Sequence, residues 1–416
     1  MKTDSIANLD IDATRVEGMI LALGAIGAHS GTGVCRTAYS PEWVAAQDLV
    51  AEWARAAELD VRFDAAGNLW ARSEGSAGGK PIVSGSHIDS QCPGGRYDGA
   101  LGVLAALIAI SALKAEFGAP KVPLEMVSLC EEEGSRFPSA GFWGSRAIVG
   151  KITAEDCITV VSASGETIGA AMADIGYEPA HISEAVRDDI RAFIELHIEQ
   201  GPILEDADLP VAVVDAITHI RHTRVTLTGQ SNHAGAFPMD IRCDPMAGFA
   251  EVVTAVINHA DALGRPAVTT VGQCIPDPNA PAIIPRAVTF TIDARHPDPD
   301  AAAEMYRTHD SILAEVAARR GLTLETEIQI DHPACLSDPA LLAALDRGAE
   351  AAGAPTMHMA SGAGHDSQQM AQICPVAMVF VRSEGGRSHT PEEFSTVDDI
   401  VAGIRVLAGA LYDLAY

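Results

Sequence analysis

The sequence predicts an α/β protein: a mostly parallel twisted sheet flanked by helices, interrupted by an inserted α+β segment with an antiparallel sheet. Three observations predict it. Four short apolar runs each end in, or carry, side chains of the metal-binding type, and in a parallel α/β sheet such groups collect at the carboxyl ends of strands. Outside one central region, most of the remaining elements alternate between strand and helix. From about residue 213 to 328 the rhythm changes to a split β-α-β pattern, small enough to be an insert. The expected main domain is therefore 1–212 with 329–416, and the insert is 213–328.

Each element has its own signal. Residues 45–59 have helical spacing, with Ala, Leu and Trp on one face. Residues 61–64 and 69–72 read as strands around a Gly-Asn turn. An apolar run from Pro81 ends at His87-Ile-Asp89, and a Gly-rich loop leads to Asp98. Residues 99–113 form an Ala/Leu-rich helix whose positive end points toward Asp98. The run 124–129 leads into Cys130-Glu131-Glu132-Glu133-Gly134. The run at 193–196 carries His197, and 376–381 precedes His389. In the insert we expect strands at 224–228, 268–274, 288–293 and 322–328, with helices at 244–262 and 299–320. The main fold resumes near Asp331 and ends in a helix over 399–414.

Neutral imidazole beside carboxylate suits a divalent transition metal. Asp98 has two oxygens and can bridge two cations. Asp89 can orient or tune His87. The three carboxylates at 131–133 repel one another unless cations or solvent neutralise them, so this run reads either as ligands or as a solvated acidic turn.

Composition excludes several classes. Lys plus Arg total 28 and Asp plus Glu 56, a net charge of −28 that argues against nucleic acid or an anionic membrane as partner. A chain of 416 residues, 48% hydrophobic, supports a sizeable core and two or three domains. The eight cysteines form no Cys-x-x-Cys, so neither a zinc knuckle nor a disulfide framework is expected. The first ten residues lack an apolar signal core and no apolar run reaches about 18 residues. A reducing cytoplasm is the simplest compartment.

The motifs Gly-Ser-His87-Ile-Asp89, Gly-Gly-Arg-Tyr-Asp98-Gly, Glu132-Glu133-Gly-Ser-Arg-Phe, His197-Ile-Glu-Gln200-Gly-Pro, Gly-Gln-Ser-Asn-His233-Ala-Gly, Ser361-Gly-Ala-Gly364-His365-Asp366 and Ser-His389-Thr-Pro-Glu-Glu run in order from about residue 83 to 393. Together they resemble the dinuclear-metal amidohydrolases of the carboxypeptidase G2/aminoacylase clan. The branch they resemble holds N-carbamoyl-L-amino-acid hydrolases, allantoate amidohydrolases and β-ureidopropionases. The His197-Ile-Glu-Gln200 run marks it, since peptidase members usually carry an acidic ligand there.

The resemblance implies two divalent ions, zinc or manganese, with cobalt or nickel also suited to the ligands. His87, Asp98 and His197 would hold one ion; Asp98, Glu133 and His389 the other. Glu132 would be the general base, and Glu131 an extra surface or supporting carboxylate. His233 would stabilise the oxyanion in the neighbouring subunit, which implies a homodimer through the insert, acting as a lid. Arg295 would clamp a small-molecule carboxylate substrate; its other reading is a strand-end arginine paired with Asp293 or Asp298. Gln200 would lie near the ureido group, and Gly364 in a Gly-rich loop supported by His365 and Asp366; Asn279, three residues away, would compensate for the substrate-contacting amide that the family carries at 282. This chain departs from its relatives at Ala282, usually Asn, and at Arg286, usually Gly. Gln91-Cys92 and His219-Ile-Arg-His222 also differ, as pocket-lining or packing changes. The implied activity is metal-dependent cleavage of the ureido C–N bond of an N-carbamoyl amino acid or allantoate-like acid. The alternatives are hydrolysis of an N-acyl amino acid or dipeptide, deamination of an aromatic amine, or a binding module without activity.

Overall fold

The computed structural model of the chain describes residues 6–416, so the amino-terminal reading lies partly outside the described residues. Two compact units emerge. Unit 1 runs to Asp215 and takes in Leu336–Met359 and His365–Tyr416; unit 2 comprises Ala216–Cys335 and Ala360–Gly364.

In unit 1, β1 (Ala28–His29) and β2 (Gly33–Val34) make a small hairpin. The strands β3 (Asp60–Phe63), β4 (Leu69–Ser73), β5 (Ile82–His87), β6 (Leu124–Leu129), β7 (Ala192–Ile198) and β8 (Val211–Ile217) follow. β5, β6 and β7 are buried at every residue, as expected of strands covered on both faces. Helix Pro41–Ala56 begins earlier than its apolar spacing suggests, because Ser40 Oγ accepts the Trp43 N–H and Pro41 fits the first turn.

Helix Ala100–Phe117 packs against β5, β6 and β7. Among the described residues it is the helix long and apolar enough to cross a membrane. Ser111, Lys114 and Glu116 interrupt it, so it is not an unbroken apolar run of that length. Its burial on all faces from Ala100 to Leu107 accounts for the composition.

Unit 2 carries β9 (His219–Thr228), β10 (Asn232–His233), β11 (Val268–Thr270), β12 (Cys274–Asp277), β13 (Ile283–Ile284), β14 (Ala287–His296) and β15 (Thr323–His332). Its antiparallel sheet has the order β11-β14-β9-β15, and β12 also pairs β14. The expected strand over 268–274 is thus two strands. Helices Pro245–Leu263 and Pro299–Arg320 lie against this sheet, over a separate core that includes Val225, Leu227, Val252, Phe290 and Leu313.

The chain returns through β16 (Cys335–Leu336), β17 (Thr356–Ser361) and β18 (Val376–Val381). The nine-stranded sheet has the order β16-β8-β18-β7-β5-β6-β4-β3, with β17 also on β8. Its centre, β18-β7-β5-β6, is parallel, and β8, β4 and β3 are antiparallel. The predicted α/β class holds.

One expectation fails. Cys35 and Cys92 form a disulfide, 57 residues apart, with Cα atoms 4.5 Å apart. A single long-range pair leaves no trace in cysteine spacing. Folding makes it: Val34 and Gly94 exchange backbone hydrogen bonds of 3.0 and 2.7 Å, laying the hairpin against the loop after β5.

Candidate metal centre

The parallel centre of the sheet delivers the ligand-type residues. His87 ends β5, His197 lies near the end of β7, and Glu131–Glu133 follow β6. Asp98 closes the loop after β5, immediately before helix Ala100–Phe117. Gly99 sits between them at φ 61°, and a Cβ there would lie 2.3 Å from the His87 ring. Only glycine permits that approach.

Two overlapping sets result. Donor atoms of His87, Asp98 and His197 lie within 4.8 Å of one another, as do those of Asp98, Glu133 and His389. His197 Nε2 is 3.1 Å and His87 Nε2 3.7 Å from Asp98 Oδ1. His389 Nε2 is 3.3 Å from Asp98 Oδ2 and 3.4 Å from Glu133 Oε2.

The rings fit cations on their own geometry. His87 Nδ1 faces the Asp89 main-chain oxygen at 3.0 Å, and His197 Nδ1 faces the Ile198 oxygen at 2.9 Å. A carbonyl only accepts, so each Nδ1 bears hydrogen and each neutral Nε2 turns a lone pair toward Asp98. Lone pairs and carboxylate repel unless a cation or proton lies between them. In the metal-free protein a proton serves: burial works to lower the His197 pKa, and Asp98 outweighs it, raising it to about 9. Asp98 likewise raises His389 to about 9.

Glu132 is not in either set. Its Oε2 lies 3.6 Å from His87 Nε2. Burial first, then Glu133 and Asp366, push its pKa well above the usual carboxylate value, which makes it a stronger base.

The neighbouring carboxylates and rings take supporting positions. Asp89 orients His87 through its main-chain oxygen. Its carboxylate instead accepts the Glu133 N–H at 3.1 Å, and its Oδ1 is 3.7 Å from His87. Glu131 is no surface group: it is fully buried and accepts the N–H groups of Arg136 and Phe137 at 3.2 and 2.9 Å. His365 packs edge-on against the His197 ring, with centroids 4.6 Å apart. Asp366 accepts from Ser145.

Gln200 donates through Nε2 to Asp98 Oδ2 at 2.8 Å, and its buried Oε1 has no hydrogen-bond partner. Three residues have supporting contacts that sequence reasoning did not assign. Gln91 Nε2 donates to Glu133 Oε2 at 2.9 Å. Ser388 Oγ donates to Asp98 Oδ2 at 2.6 Å, and Glu393 accepts the Asp98 N–H at 2.9 Å. Ser388 and Glu393 are the first and last residues of the Ser-His389-Thr-Pro-Glu-Glu motif, and membership of it was their only signal.

The structure places His233, Asn279, Arg295 and Gly364 in unit 2. His233 Nδ1 accepts the Gly235 and Ala236 N–H groups at 3.1 and 3.0 Å, so the neutral ring carries its hydrogen on Nε2. Arg295 grips Asp293 through Nε and a terminal nitrogen at 2.9 and 2.8 Å and reaches the Gly362 oxygen at 2.7 Å. His222 Nε2 meets the same Asp293 at 3.1 Å. Asn279 is exposed, and Gly364 is half-buried in the loop after β17. Arg286 pairs with Asp277 at 2.7 Å. His219 pairs with Asp331 at 2.5 Å.

A parallel-centred sheet with two overlapping His/carboxylate sets at its strand ends defines the class: a metal-dependent hydrolase with two adjacent cation sites. The chain belongs to the peptidase family M20/M25/M40, which matches residues 83–413. It is an amidohydrolase of that family. It is 37% identical to the allantoate amidohydrolase of Escherichia coli (strain K12), over 96% of this chain and 98% of that one. It is 36% identical to the N-carbamoyl-L-amino acid amidohydrolase of Geobacillus stearothermophilus, over 97% and 99%. Among solved structures, an amidase of the hydantoinase/carbamoylase family from Burkholderia multivorans superposes with a TM-score of 0.91 at 37% identity, covering 98% of both chains.

Proposed function

We propose that this chain cleaves the ureido C–N bond of an N-carbamoyl amino acid or an allantoate-like ureido acid, with Glu132 as general base. The observation that carries this reading is the state of Gln200. Its Nε2 is committed to Asp98, so its unpartnered Oε1 is an acceptor awaiting an N–H. A ureido group ends in –NH2 and supplies one; an N-acetyl group ends in a methyl and does not. A buried acceptor left unmatched costs enough to discriminate between them.

His87, Asp98 and His197 would hold one divalent ion, and Asp98, Glu133 and His389 the other, manganese or zinc in our reading. When bound, such ions supply Lewis acidity toward the ureido carbonyl and toward water. The protein's own groups do the rest. Glu132 takes the proton from water and passes it to the leaving nitrogen. His233, with its hydrogen on Nε2, donates to the developing oxyanion. Arg295 binds the substrate carboxylate through donors that Asp293 leaves free. Gln200 holds the ureido nitrogen; Asn279 and Gly364 contribute contacts to substrate. Asp89 and Gln91 keep Glu133 in place. A homodimer through unit 2 and a cytoplasmic location complete the proposal. The Cys35–Cys92 bond runs against a reducing compartment, and thiol counts after rapid alkylation in cells decide that point.

The test is ammonia release by manganese- or zinc-loaded enzyme. The panel holds N-carbamoyl-L-amino acids, β-ureidopropionate, allantoate and ureidoglycolate, with N-acetyl amino acids and dipeptides scored by free amine. Ammonia from a ureido acid, lost on chelation, is the expected result. Turnover of N-acetyl compounds alone would refute the role given to Gln200.

A further inference from the structure

We infer that Glu393 is the positioning residue that fixes Asp98 for both cation sites. This inference rests on the two-site reading above. Among the described residues Asp98 is common to the two sets, with Oδ1 toward His87 and His197 and Oδ2 toward His389. Such a group needs both its main chain and its side chain held.

Glu393 supplies the main-chain hold from outside either set, and Ser388 beside it supplies the side-chain hold. One oxygen, Oε1, accepts the backbone N–H of Tyr97 at 2.8 Å and of Asp98 at 2.9 Å. The other, Oε2, lies 3.1 Å from Ser388 Oγ, whose hydroxyl is 2.6 Å from Asp98 Oδ2. A single carboxylate thus grips the main chain of Asp98 and its neighbour, while the one hydroxyl hydrogen of Ser388 goes to the Asp98 side chain. The grip ties the loop after β5 to the segment that carries His389, linking residues 295 positions apart.

The loop is shaped for this contact. A Cβ on Gly95 would lie 2.1 Å from the Glu393 carboxyl carbon and from Oε1, so the slot exists only with glycine. Glu393 itself is 4% exposed. The two N–H donors oppose the cost of burying this carboxylate, and the residues it holds are those that set the ligand geometry. Gln200 Nε2, 2.8 Å from Asp98 Oδ2 and 3.2 Å from Ser388 Oγ, completes the enclosure.

The experiment is calorimetric titration of metal-free Glu393→Ala, Glu393→Gln and Ser388→Ala with manganese(II), beside the melting temperature of each metal-free form. Glu393→Ala should weaken both manganese equivalents by about 10- to 100-fold, the usual range for residues that orient ligands. Glu393→Gln keeps an acceptor for the two N–H groups and should recover most of that loss. Ser388→Ala severs only the side-chain hold and should weaken binding with the metal-free melting temperature unchanged. In the loaded enzymes kcat should fall with KM near wild type.

Wild-type manganese affinity in Glu393→Ala, or a lowered melting temperature without weaker binding, overturns the inference. If Glu393→Ala does not fold, Gly95→Ala decides, since its methyl would displace the Glu393 carboxylate: wild-type affinity there is equally fatal. Binding is read without substrate, so failure here and failure of the ureido reading are separable.

Discussion

At the residue scale, two neighbouring glutamates are placed differently. Glu133 is within reach of His389 and is held by Gln91, whereas Glu132 faces His87 from outside both sets. Glu132→Gln should lower turnover by about 10²- to 10⁴-fold, as loss of a general base does, with metal content near wild type. Glu133→Gln should lose metal instead. Metal analysis beside kcat checks both, and interchanged results would mean that base and ligand are swapped.

Acidity should act through the histidines. His197 and His389 hold protons up to about pH 9 in the metal-free protein, and a cation must displace them. Affinity should therefore be full above that pH and fall as pH drops, roughly tenfold per unit for each proton displaced. Manganese titrations in weak buffer from about pH 6 to 9, with released protons counted, test the sign. Flat affinity across the range would show that the rings are already neutral.

At the element scale, the sheet was legible because its strands are buried on both faces and read as unbroken apolar runs. The candidate ligands were legible because they sit at the ends of those runs or in the loops that follow. Helix starts were less so: Thr396 caps the last helix at Val397, two residues before its apolar pattern begins. The supporting contacts of Gln91, Ser388 and Glu393 stayed hidden, since a hydrogen bond across 42 or 295 residues has no local periodicity.

The entry to helix Ala100–Phe117 makes a sharp prediction. Gly99→Ala puts a methyl into the His87 ring at positive φ. We expect a cost of about 1–3 kcal/mol and weaker manganese binding, read by denaturant titration and calorimetry. An unchanged Gly99→Ala protein would mean that the His87 ring moves freely.

At the scale of the molecule, the Cys35–Cys92 bond closes a loop spanning 57 residues. In the chain-entropy account such a loop is worth up to ~4 kcal/mol. Dithiothreitol should lower the melting temperature of the wild type and leave Cys35→Ser indifferent. Equal melting with and without reductant would show that the bond contributes nothing.

Unit 2 has a core of its own, and unit 1 closes its sheet where the chain departs and returns. Ser337 N–H donates to the Asp215 oxygen at 2.9 Å, so the two ends of the excursion are already neighbours. A turn of a few residues could bridge them. The 120 residues from Ala216 to Cys335 are therefore a detachable module in the engineering sense. A chain spliced from Asp215 to Leu336 should keep the strand ends that carry the ligands, leaving a compact metal-binding protein stripped of its insert.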